Sequence, residues 1–473
     1  MNERSTSSFL DRTLKNLRAT WREIAGSPSA PADGELRPDL PDEDADKLRA
    51  QMRECLEARG GEVSARARAA ALGRAYLELN DTGRNRFLHI LAKDFATDGA
   101  AVDAAVEKLR EAGDGDGRAA AERALSAVLE APRIRLLTQF NALPEGIKFL
   151  VDMRADLLAV AEKDGALPGL EEDLKGLLAS WFDIGFLELR HITWDAPATL
   201  LEKLIAYEAV HAIRSWDDLK HRLDSDRSCV AYFHPRMPDE PLIFLGVALV
   251  NGMADNIQTL LDETAPVQDP KAADTAIFYS ISSAQKGLAG ISFGNFLIKR
   301  VVDILAGEFK GLKTFATLSP APGFRAWLDA AIEDGADELL TATEIRALER
   351  LAVDGNGAQK LAALLAVPGW HEDAVMAKAA RGALMRLCAH YLVKEKRGDG
   401  RALDPVAHFH FSNGARIERL NWLADSSAKG LEQSAGIMIN YLYDLNKIED
   451  SHEVYSEAGE VTLAPAVKSL LKG

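Results

Sequence analysis

Cysteine is rare in this chain. Cys55, Cys229 and Cys388 stand far apart in 473 residues and show no paired spacing. A disulfide framework and a structural zinc site both depend on such spacing, so the sequence indicates neither. Three isolated thiols are typical of a protein that works in a reducing compartment.

Long hydrophobic runs are also missing. No run of about eighteen apolar residues occurs, and the most apolar segment, residues 242–250, has only the length of a buried strand. The sequence therefore excludes a transmembrane helix.

Positive charge is in short supply. The 56 Lys and Arg residues are outnumbered by 72 Asp and Glu residues, which gives a net charge of -16 and a pI near 5.2. Nucleic-acid binding requires a basic face that neutralises phosphates, so nucleic acid is excluded as a partner. Any anionic ligand has to be held by a local site.

The length and composition that are present indicate a folded protein of two domains. Hydrophobic residues make up 47% and charged residues 27%, as in ordinary globular proteins. A chain of 473 residues is too long for one core. We predict the α+β class, with a helical bundle in residues 1–186 and a mixed α/β domain in residues 187–473.

The first half is rich in strong helix formers with apolar residues at intervals of three and four. Residues 27–45 combine prolines with acidic and small residues, so we expect a linker or a long surface loop there. The following pattern predicts helices at residues 48–58, 65–79, 86–95, 101–113, 119–131, 134–143, 146–163 and 170–187.

The N-terminal segment has two interpretations. Leu10, Leu14, Leu17 and Trp21 lie at helical spacing, as in an organelle transit peptide or in the first helix of the folded protein. Transit peptides are poor in acidic residues, and Glu3 and Asp11 therefore count against that interpretation. We predict a cytoplasmic protein.

The second half begins with a sequence pattern that is typical of β-strands. Short apolar runs bounded by turn residues predict strands at residues 227–235, 242–250, 276–282 and 314–320. A helix at 295–309 between the last two predicts a right-handed parallel crossover. Residues 325–396 return to a helical pattern as an insertion, residues 406–422 are predicted as a strand pair, and a final helix is predicted near 463–471.

Residues 285–294, QKGLAGISFG, could hold a phosphate. Gly287, Gly290 and Gly294 allow close approach of backbone N–H groups, and the helix N-terminus behind them is electropositive. The pattern is neither a complete Rossmann fingerprint nor a Walker A loop. It is similar to the glycine loop with which N-acetyltransferases bind the pyrophosphate of coenzyme A. A tight strand-to-helix turn would explain the same glycines.

Ser319 stands at the end of a predicted strand, and Pro320 after it keeps its backbone extended. Ligands bind at strand ends in open sheets, although a Ser-Pro pair is usually a turn. Strand alternation would set His408 and His410 on one face, where they could bind a metal. No third ligand follows at metal-site spacing, so hydrogen-bonded histidines are the simpler interpretation. Asn413 and Gly414 after them fit a hairpin turn.

Six segments together resemble the malonyl-CoA decarboxylase family. They are residues 192–197 (ITWDAP), 209–223 (AVHAIRSWDDLKHRL), 233–261, 280–302, 315–324 and 408–449. The resemblance covers most of the chain beyond about residue 185 and the first half more loosely.

The resemblance implies an acetyltransferase-like catalytic domain that converts malonyl-CoA to acetyl-CoA and carbon dioxide. It implies Ser319 and His410 as catalytic residues, with His410 rather than His408 at the active-site position. His408 could be a neighbour that tunes His410, and its role stays open. Loss of carbon dioxide leaves an enolate whose charge spreads onto the thioester oxygen, so no metal or other cofactor is expected. The implied substrate-binding residues are Ala289, Gly290, Ile291, Ser292, Phe293, Gly294, Asn295, Ser319 and His410.

Other features and other functions stay open at this level. Arg236, Lys299 and Arg300 could contact coenzyme A phosphates, whereas Trp194, Trp216 and Trp422 suit a core or an interface. A coenzyme A-dependent acyltransferase and a non-catalytic malonyl-CoA sensor would both use the same glycine loop. A serine hydrolase is disfavoured because no GxSxG elbow is present. Family members are thought to assemble as tetramers, so we expect a homo-oligomer, with the helical half in self-association.

Overall fold

The structure is a computed structural model that describes residues 17–21, 23–24, 36–57, 61–115, 117–161, 164–291, 297–335, 339–350 and 355–472. The chain forms two compact units. Unit 1 comprises Met1–Glu188, Tyr232–Leu242 and Ser283–Phe293, and unit 2 comprises Leu189–Ala231, Ile243–Ser282 and Gly294–Gly473. No helix in the described ranges combines the length and the apolarity that crossing a bilayer requires.

Unit 1 is built mainly of helices, as the sequence predicts. The described helices are α1 (Asp42–Leu56), α2 (Gly61–Glu78), α3 (Asp81–Asp94), α4 (Gly99–Ala112), α5 (Arg118–Leu129), α6 (Pro132–Asn141), α7 (Gly146–Ala161) and α8 (Pro168–Trp181).

Local signals explain where several of these helices begin. Asn80 caps α3 by accepting the N–H of Gly83, and Asp98 caps α4 in the same way. Pro132 and Pro168 occupy the first turns of α6 and α8, where no backbone N–H is needed.

Two boundaries in unit 1 differ from the prediction. Helix α1 already begins at Asp42, so the last part of the predicted linker is helical, and residues 25–35 lie outside the described residues. Helix α8 ends at Trp181 instead of continuing to residue 187. Asp183 accepts the N–H of Gly185 and starts a short 3-10 turn there, which ends the helix.

An aromatic cluster forms the centre of unit 1. Trp21, Tyr76, Phe87, Phe140 and Phe149 are buried and meet edge to face, with ring centroids 4.8 to 5.6 Å apart. This is the geometry that aromatic pairs prefer. The indole N–H of Trp21 donates to the carbonyl of Pro144 at 2.8 Å, so the buried donor is satisfied.

Unit 2 holds most of an eight-stranded mixed sheet. Its strands are β1 (Glu188–Ile192), β2 (Arg227–His234), β3 (Met237–Val250), β4 (Thr275–Ser283), β5 (Thr314–Thr317), β6 (Ser319–Pro320), β7 (Arg416–Asn421) and β8 (Met438–Leu442). The order across the sheet is β1-β2-β3-β4-β5-β8-β6, and β7 also pairs with β8. The ends of β2 and β3 nearest to each other in sequence, Tyr232–Leu242, belong to unit 1.

The predicted parallel crossover is present. Strands β4 and β5 are parallel, with Thr275 opposite Thr314 and Phe278 opposite Thr317. Helix α12 (Leu297–Glu308) joins them and buries an apolar face of Leu297, Val301 and Leu305. The remaining helices are α9 (Ala198–Tyr207), α10 (Trp216–Arg222), α11 (Ile257–Leu260), α13 (Phe324–Glu333), α14 (Ala342–Leu348), α15 (Gly357–Leu365), α16 (Ala374–Lys394), α17 (Pro405–Ser412), α18 (Ala428–Ser434), α19 (Ile448–Ala458) and α20 (Pro465–Leu470).

The prediction of a strand pair at residues 406–422 is wrong in its first half. His408 and His410 lie on α17, and the strand β7 begins only at Arg416. Asp404 caps this helix and Pro405 occupies its first position, which together form a strong helix start. Asn413 and Gly414 end the helix and do not form a hairpin turn. Gly414 has φ +78, and a Cβ there would lie 2.0 Å from the carbonyl oxygen of Ile448.

Candidate active site

Ser319 follows the end of β5 in the chain and lies on β6, the strand beside β8. It pairs with Ile439 of β8 in the two-residue strand β6. Just before it, the hydroxyl of Thr317 donates to the carbonyl of Ile439 at 3.3 Å and accepts the N–H of Tyr441 at 3.1 Å. Just after it, the N–H of Ala321 donates to the hydroxyl of Ser434 at 3.1 Å. Polar contacts on both sides therefore fix the backbone that carries the serine.

His410 comes from the last turn of α17. The N–H groups of Asn413 and Ala415 both donate to its carbonyl, at 3.1 and 3.0 Å, which closes the end of the helix. The imidazole points into the interior of unit 2 and is only 2% exposed.

The structure brings the two predicted catalytic residues together. Ser319 Oγ lies 3.1 Å from Nε2 of His410, and the other ring nitrogen, Nδ1, lies 2.7 Å from the hydroxyl of Tyr443. All three side chains are buried, with Ser319 the most accessible of them at 8%. Serine, imidazole and phenol thus form one continuous chain of hydrogen bonds.

Either neutral tautomer of His410 satisfies this chain. With the proton on Nδ1, the imidazole donates to Tyr443 and accepts from Ser319; with the proton on Nε2, both directions reverse. A proton can therefore be presented at the serine end without breaking a contact. The hydroxyl groups at both ends can turn to act as donor or acceptor.

Burial makes His410 neutral. Removal from water lowers the pKa of His410 to about 3, because the charged imidazolium would have to be desolvated. Burial likewise raises the pKa of Tyr443 well above its ordinary value of 10.0. The value for His410 lies well below the ordinary histidine pKa of about 6.5.

Tyr441 covers one face of the imidazole. Its ring is stacked on that of His410 with centroids 4.3 Å apart and an interplanar angle of 24°. The hydroxyl of Tyr441 is buried and has no hydrogen-bond partner in the part of the chain that the structure describes. The ring therefore restricts the orientation of His410 through packing alone.

His408 does not belong to this arrangement. Residues two apart on a helix do not face each other, and Nδ1 of His408 instead lies 2.8 Å from the hydroxyl of Tyr455. The strand-based expectation that His408 and His410 share a face is therefore wrong, and no contact links His408 to Ser319.

The glycine segment is part of unit 1, and only some of it can be described. Ala289, Gly290 and Ile291 follow a short 3-10 turn, Lys286–Leu288. Ser292, Phe293, Gly294 and Asn295 lie outside the described residues. Gly290 has φ +70, a conformation that favours glycine, and both Ala289 and Gly290 are exposed.

Arg154 of α7 supports the glycine segment. Its guanidinium is 1% exposed, donates to the carbonyls of Gly287 at 2.6 Å and Ala289 at 2.9 Å, and is paired with Glu171 at 2.6 Å. A Cβ on Gly287 would lie 1.7 Å from the carbonyl oxygen of Val151, so close packing requires glycine there. This buried arginine fixes the backbone of the segment, while Ala289 and Gly290 themselves are exposed.

Lys175 of α8 lies beside Gly290. A Cβ built on Gly290 would lie 3.7 Å from the Nζ atom of Lys175. The described residues offer this ammonium no ion-pair partner, although the protein is acidic overall. A lysine in this position suits a phosphate oxygen bound at the exposed backbone of the glycine segment.

Several of the other basic and tryptophan residues considered above contact protein groups away from Ser319 and His410. Arg236 donates to Asn141, with 2.7 Å to its side-chain oxygen, and Lys299 is paired with Glu449. Trp194 and Trp216 meet edge to face at 6.1 Å but remain 40% and 46% exposed, so they are not core residues. Trp422 packs against Trp370 at 6.1 Å.

Sequence reasoning missed the tyrosines around His410. Tyr441 and Tyr443 are two residues apart in and just beyond β8, so strand alternation places both on the same face. The run at residues 436–443 has the texture of a strand, but nothing local indicates that its tyrosines meet a histidine 31 and 33 residues earlier. Arg154 was missed because its partners are backbone carbonyls more than a hundred residues away.

Family models match most of the chain. The model described as the malonyl-CoA decarboxylase C-terminal domain matches residues 185–473, and the model described as the malonyl-CoA decarboxylase N-terminal domain matches residues 95–182.

Individual proteins match over similar lengths. The chain is 37% identical to the mitochondrial malonyl-CoA decarboxylase of Anser anser anser, over 86% of this chain and 84% of the relative. It is 40% identical to that of Rattus norvegicus over 72% and 71%. The crystal structure of malonyl-CoA decarboxylase from Rhodopseudomonas palustris superposes with a TM-score of 0.83 at 42% identity, covering 90% of this chain and 99% of that chain. The corresponding structure from Agrobacterium vitis gives 0.79 at 41% identity, with 90% and 99% covered.

Proposed function

Because the chain belongs to the malonyl-CoA decarboxylase family, we propose that Ser319 and His410 are the residues with which it removes carbon dioxide from malonyl-CoA. The protein is a carboxy-lyase whose products are acetyl-CoA and carbon dioxide. The observation that supports this assignment of residues most strongly is the 3.1 Å hydrogen bond between two side chains that lie 91 residues apart in sequence.

The reaction requires these side chains to orient the malonyl carboxylate and to deliver a proton. The bond between the carboxylate and C2 breaks, and its electron pair moves onto the thioester as an enolate while carbon dioxide leaves. The carboxylate must be held so that this bond stands over the thioester plane. A proton must then reach C2, which consumes one proton per turnover.

Ser319 is suited to the first task. Its hydroxyl is the most accessible end of the hydrogen-bonded chain, and its backbone is fixed from both sides. In our proposal it donates to the malonyl carboxylate and then to the enolate oxygen. A donor aimed at the atom where charge develops is the usual source of transition-state stabilisation.

His410 is suited to the second task once substrate is bound. Burial lowers the pKa of His410 to about 3, so the ring is neutral before a substrate anion lies beside it. A substrate carboxylate beside it raises the pKa of a buried histidine by favouring the charged form. The imidazolium formed in this way gives its proton to C2 and returns to the neutral state, while Tyr443 holds Nδ1.

We assign the coenzyme A moiety to the glycine segment, in accord with the family pattern. The proposed contacts are Ala289, Gly290, Ile291, Ser292, Phe293, Gly294 and Asn295. The exposed backbone of Gly290 and the adjacent ammonium of Lys175 support a phosphate at this position. The reaction needs no metal or other cofactor in this proposal.

The test is turnover of malonyl-CoA in the presence of EDTA, with acetyl-CoA and carbon dioxide both quantified. We expect equal amounts of the two products from the unaltered protein. Ser319→Ala and His410→Gln should each lower kcat by about a hundredfold or more. His408→Gln is the matched control, because it makes the same change on the same helix at a side chain bonded to Tyr455.

Four outcomes would overturn parts of this proposal. Turnover that stops with EDTA would contradict the cofactor-free mechanism. Ser319 and His410 are called the dyad below. Full turnover in both Ser319→Ala and His410→Gln would show that the dyad takes no part in the reaction. Malonyl-CoA that binds without being consumed would favour the sensor, and transfer to an added amine or alcohol would favour the acyltransferase.

Assembly and location extend this proposal. We propose that residues 1–186 form the self-association domain, that residues 187–473 form the catalytic domain, and that the protein is a cytoplasmic homotetramer. Light scattering on the purified protein measures the assembly directly, and a monomer would refute it. Cell fractionation tests the location, since the goose and rat relatives are named as mitochondrial.

A further inference from the structure

Asp404 is a buried carboxylate that binds three separate segments of unit 2. Its side chain is 0% exposed. One oxygen, Oδ1, accepts the N–H of Ala407 at 2.9 Å and caps helix α17. The other, Oδ2, accepts the N–H of Gly323 at 3.4 Å and the hydroxyl of Tyr391 at 3.3 Å.

These partners connect the two members of the dyad. Gly323 follows Ser319 by four residues, and Asp404 precedes His410 by six on the helix that it caps. The serine segment and the histidine helix are 81 residues apart where Asp404 joins them. Tyr391 adds the long helix α16 to the same carboxylate.

The junction is tightly packed. A Cβ on Gly323 would lie 2.2 Å from the hydroxyl oxygen of Tyr391 and 3.7 Å from Oδ2 of Asp404. The hydroxyl of Tyr391 therefore occupies the space that a side chain at residue 323 would need, whereas the distance to the carboxylate is an ordinary contact.

Capping alone does not account for a buried charge. Helix α16 is capped by Asp373, whose carboxylate accepts the N–H groups of Val375 and Met376. That cap is exposed and, among the residues that the structure describes, makes no hydrogen bond outside its own helix. Burying a carboxylate is costly unless its lone pairs are satisfied, and Asn caps a helix about as well as Asp does. Asp404 differs from Asp373 in the bonds that Oδ2 makes outside the helix.

We propose that Asp404 is a positioning residue for decarboxylation, which sets the separation of Ser319 Oγ and His410 Nε2 by tying the loop after the serine to the start of the histidine helix. This inference rests on the proposed roles of Ser319 and His410. Catalytic groups must be held within about 0.5 Å of their productive geometry. A single side chain that hydrogen-bonds to both segments therefore has a large effect on the reaction rate.

Asp404→Asn is the most direct test. An amide has one acceptor oxygen, so whichever way it is turned, either the cap at Ala407 or the pair at Gly323 and Tyr391 loses its acceptor. We expect kcat to fall by about 10- to 100-fold with KM for malonyl-CoA nearly unchanged, because misplacement affects the reacting centre and not coenzyme A binding. Asp373→Asn is the matched control and should leave both constants unchanged.

A double-variant cycle separates positioning from general stability. If Asp404 acts through the dyad, adding Asp404→Asn to His410→Gln should cause no further loss of kcat. Independent losses that multiply would overturn the proposal, as would full kcat in a folded Asp404→Asn protein. The thermal unfolding midpoint and acetyl-CoA binding establish that each variant is folded.

A second variant decides the question if Asp404→Asn does not fold. Tyr391→Phe keeps the carboxylate, the helix cap and the Gly323 contact, and removes one outer donor. We expect a several-fold lower kcat at constant KM; an unchanged kcat would overturn the proposal. Failure of the proposed function gives a different result, since Ser319→Ala and His410→Gln would then retain full turnover whatever Asp404 does.

Discussion

The burial of His410 predicts how folding stability depends on pH. In the folded protein the pKa of His410 is lowered to about 3, whereas an unfolded histidine has its ordinary value of 6.5. Between these two values the unfolded chain binds a proton that the folded site rejects. The contribution of His410 to stability is therefore complete above about pH 6.5 and is lost progressively as the pH falls towards 3.

The magnitude follows from linkage. Between about pH 7.5 and about pH 5.5, protonation of His410 in the unfolded chain raises the unfolding equilibrium constant by a factor of about ten. The free energy of unfolding falls by about 1.4 kcal/mol. Urea unfolding of the unaltered protein and of His410→Gln at both pH values measures this quantity as a difference of differences. His211, whose pKa burial lowers to about 4, is present in both proteins and cancels.

Two results would refute this reasoning. An equal loss of stability in the two proteins would mean that His410 does not reject a proton in the folded state. An imidazole carbon resonance that is absent from His410→Gln and titrates with a midpoint near 6.5 would mean the same. Addition of a malonyl-CoA analogue that cannot lose carbon dioxide should raise the titration midpoint of that resonance, because an anion beside the ring favours its charged form.

Three further predictions concern residues at the glycine segment and beside His410. Lys175→Gln should raise KM for malonyl-CoA about three- to tenfold without changing KM for malonyl-pantetheine, which lacks the nucleotide phosphates, and equal changes for both would contradict a phosphate contact. Gly290→Leu should also raise KM, because it fills the exposed backbone and strains a φ of +70; isothermal titration with acetyl-CoA checks the binding step. Tyr441→Phe should leave stability unchanged or raise it by about 1 kcal/mol, since it removes a buried hydroxyl without a described partner and keeps the stacked ring, so a large loss in urea unfolding would reveal a missed hydrogen bond.

The elements with strong local signals were predictable from the sequence. The helices of the first half carry caps, prolines at their starts and apolar residues at helical spacing, and all eight predicted helices are present. The order of strand, glycine segment, helix and strand also predicted the parallel pair of β4 and β5. These features depend on neighbours in sequence, which is the range over which periodicity carries information.

Helix α17 shows where an alternating pattern misleads. His408, Phe409, His410 and Phe411 alternate as in a half-buried strand, but Asp404 and Pro405 supply a helix start four residues earlier. The cap was visible in the sequence and outweighs the alternation, because it satisfies backbone donors that a strand would leave to a neighbour.

The electrostatics of the site could not be predicted in the same way. The pKa of His410 depends on how completely Tyr441, Tyr443 and the surrounding core exclude water, and these residues come from a distant strand. The identity of Ser319 and His410 came from the family pattern, whereas their hydrogen bond and its continuation to Tyr443 emerge only when the chain is folded.

The route of the chain through the two units has a consequence for dividing the protein. Residues 232–242 and 283–293 lie in sequence among the segments of unit 2, yet they belong to unit 1. A fragment that starts after residue 188 would retain the glycine segment but lose Arg154, whose guanidinium holds the carbonyls of Gly287 and Ala289. A single cut at this boundary separates the glycine segment from the arginine that supports it, so we expect the two sequence domains to need expression as one chain.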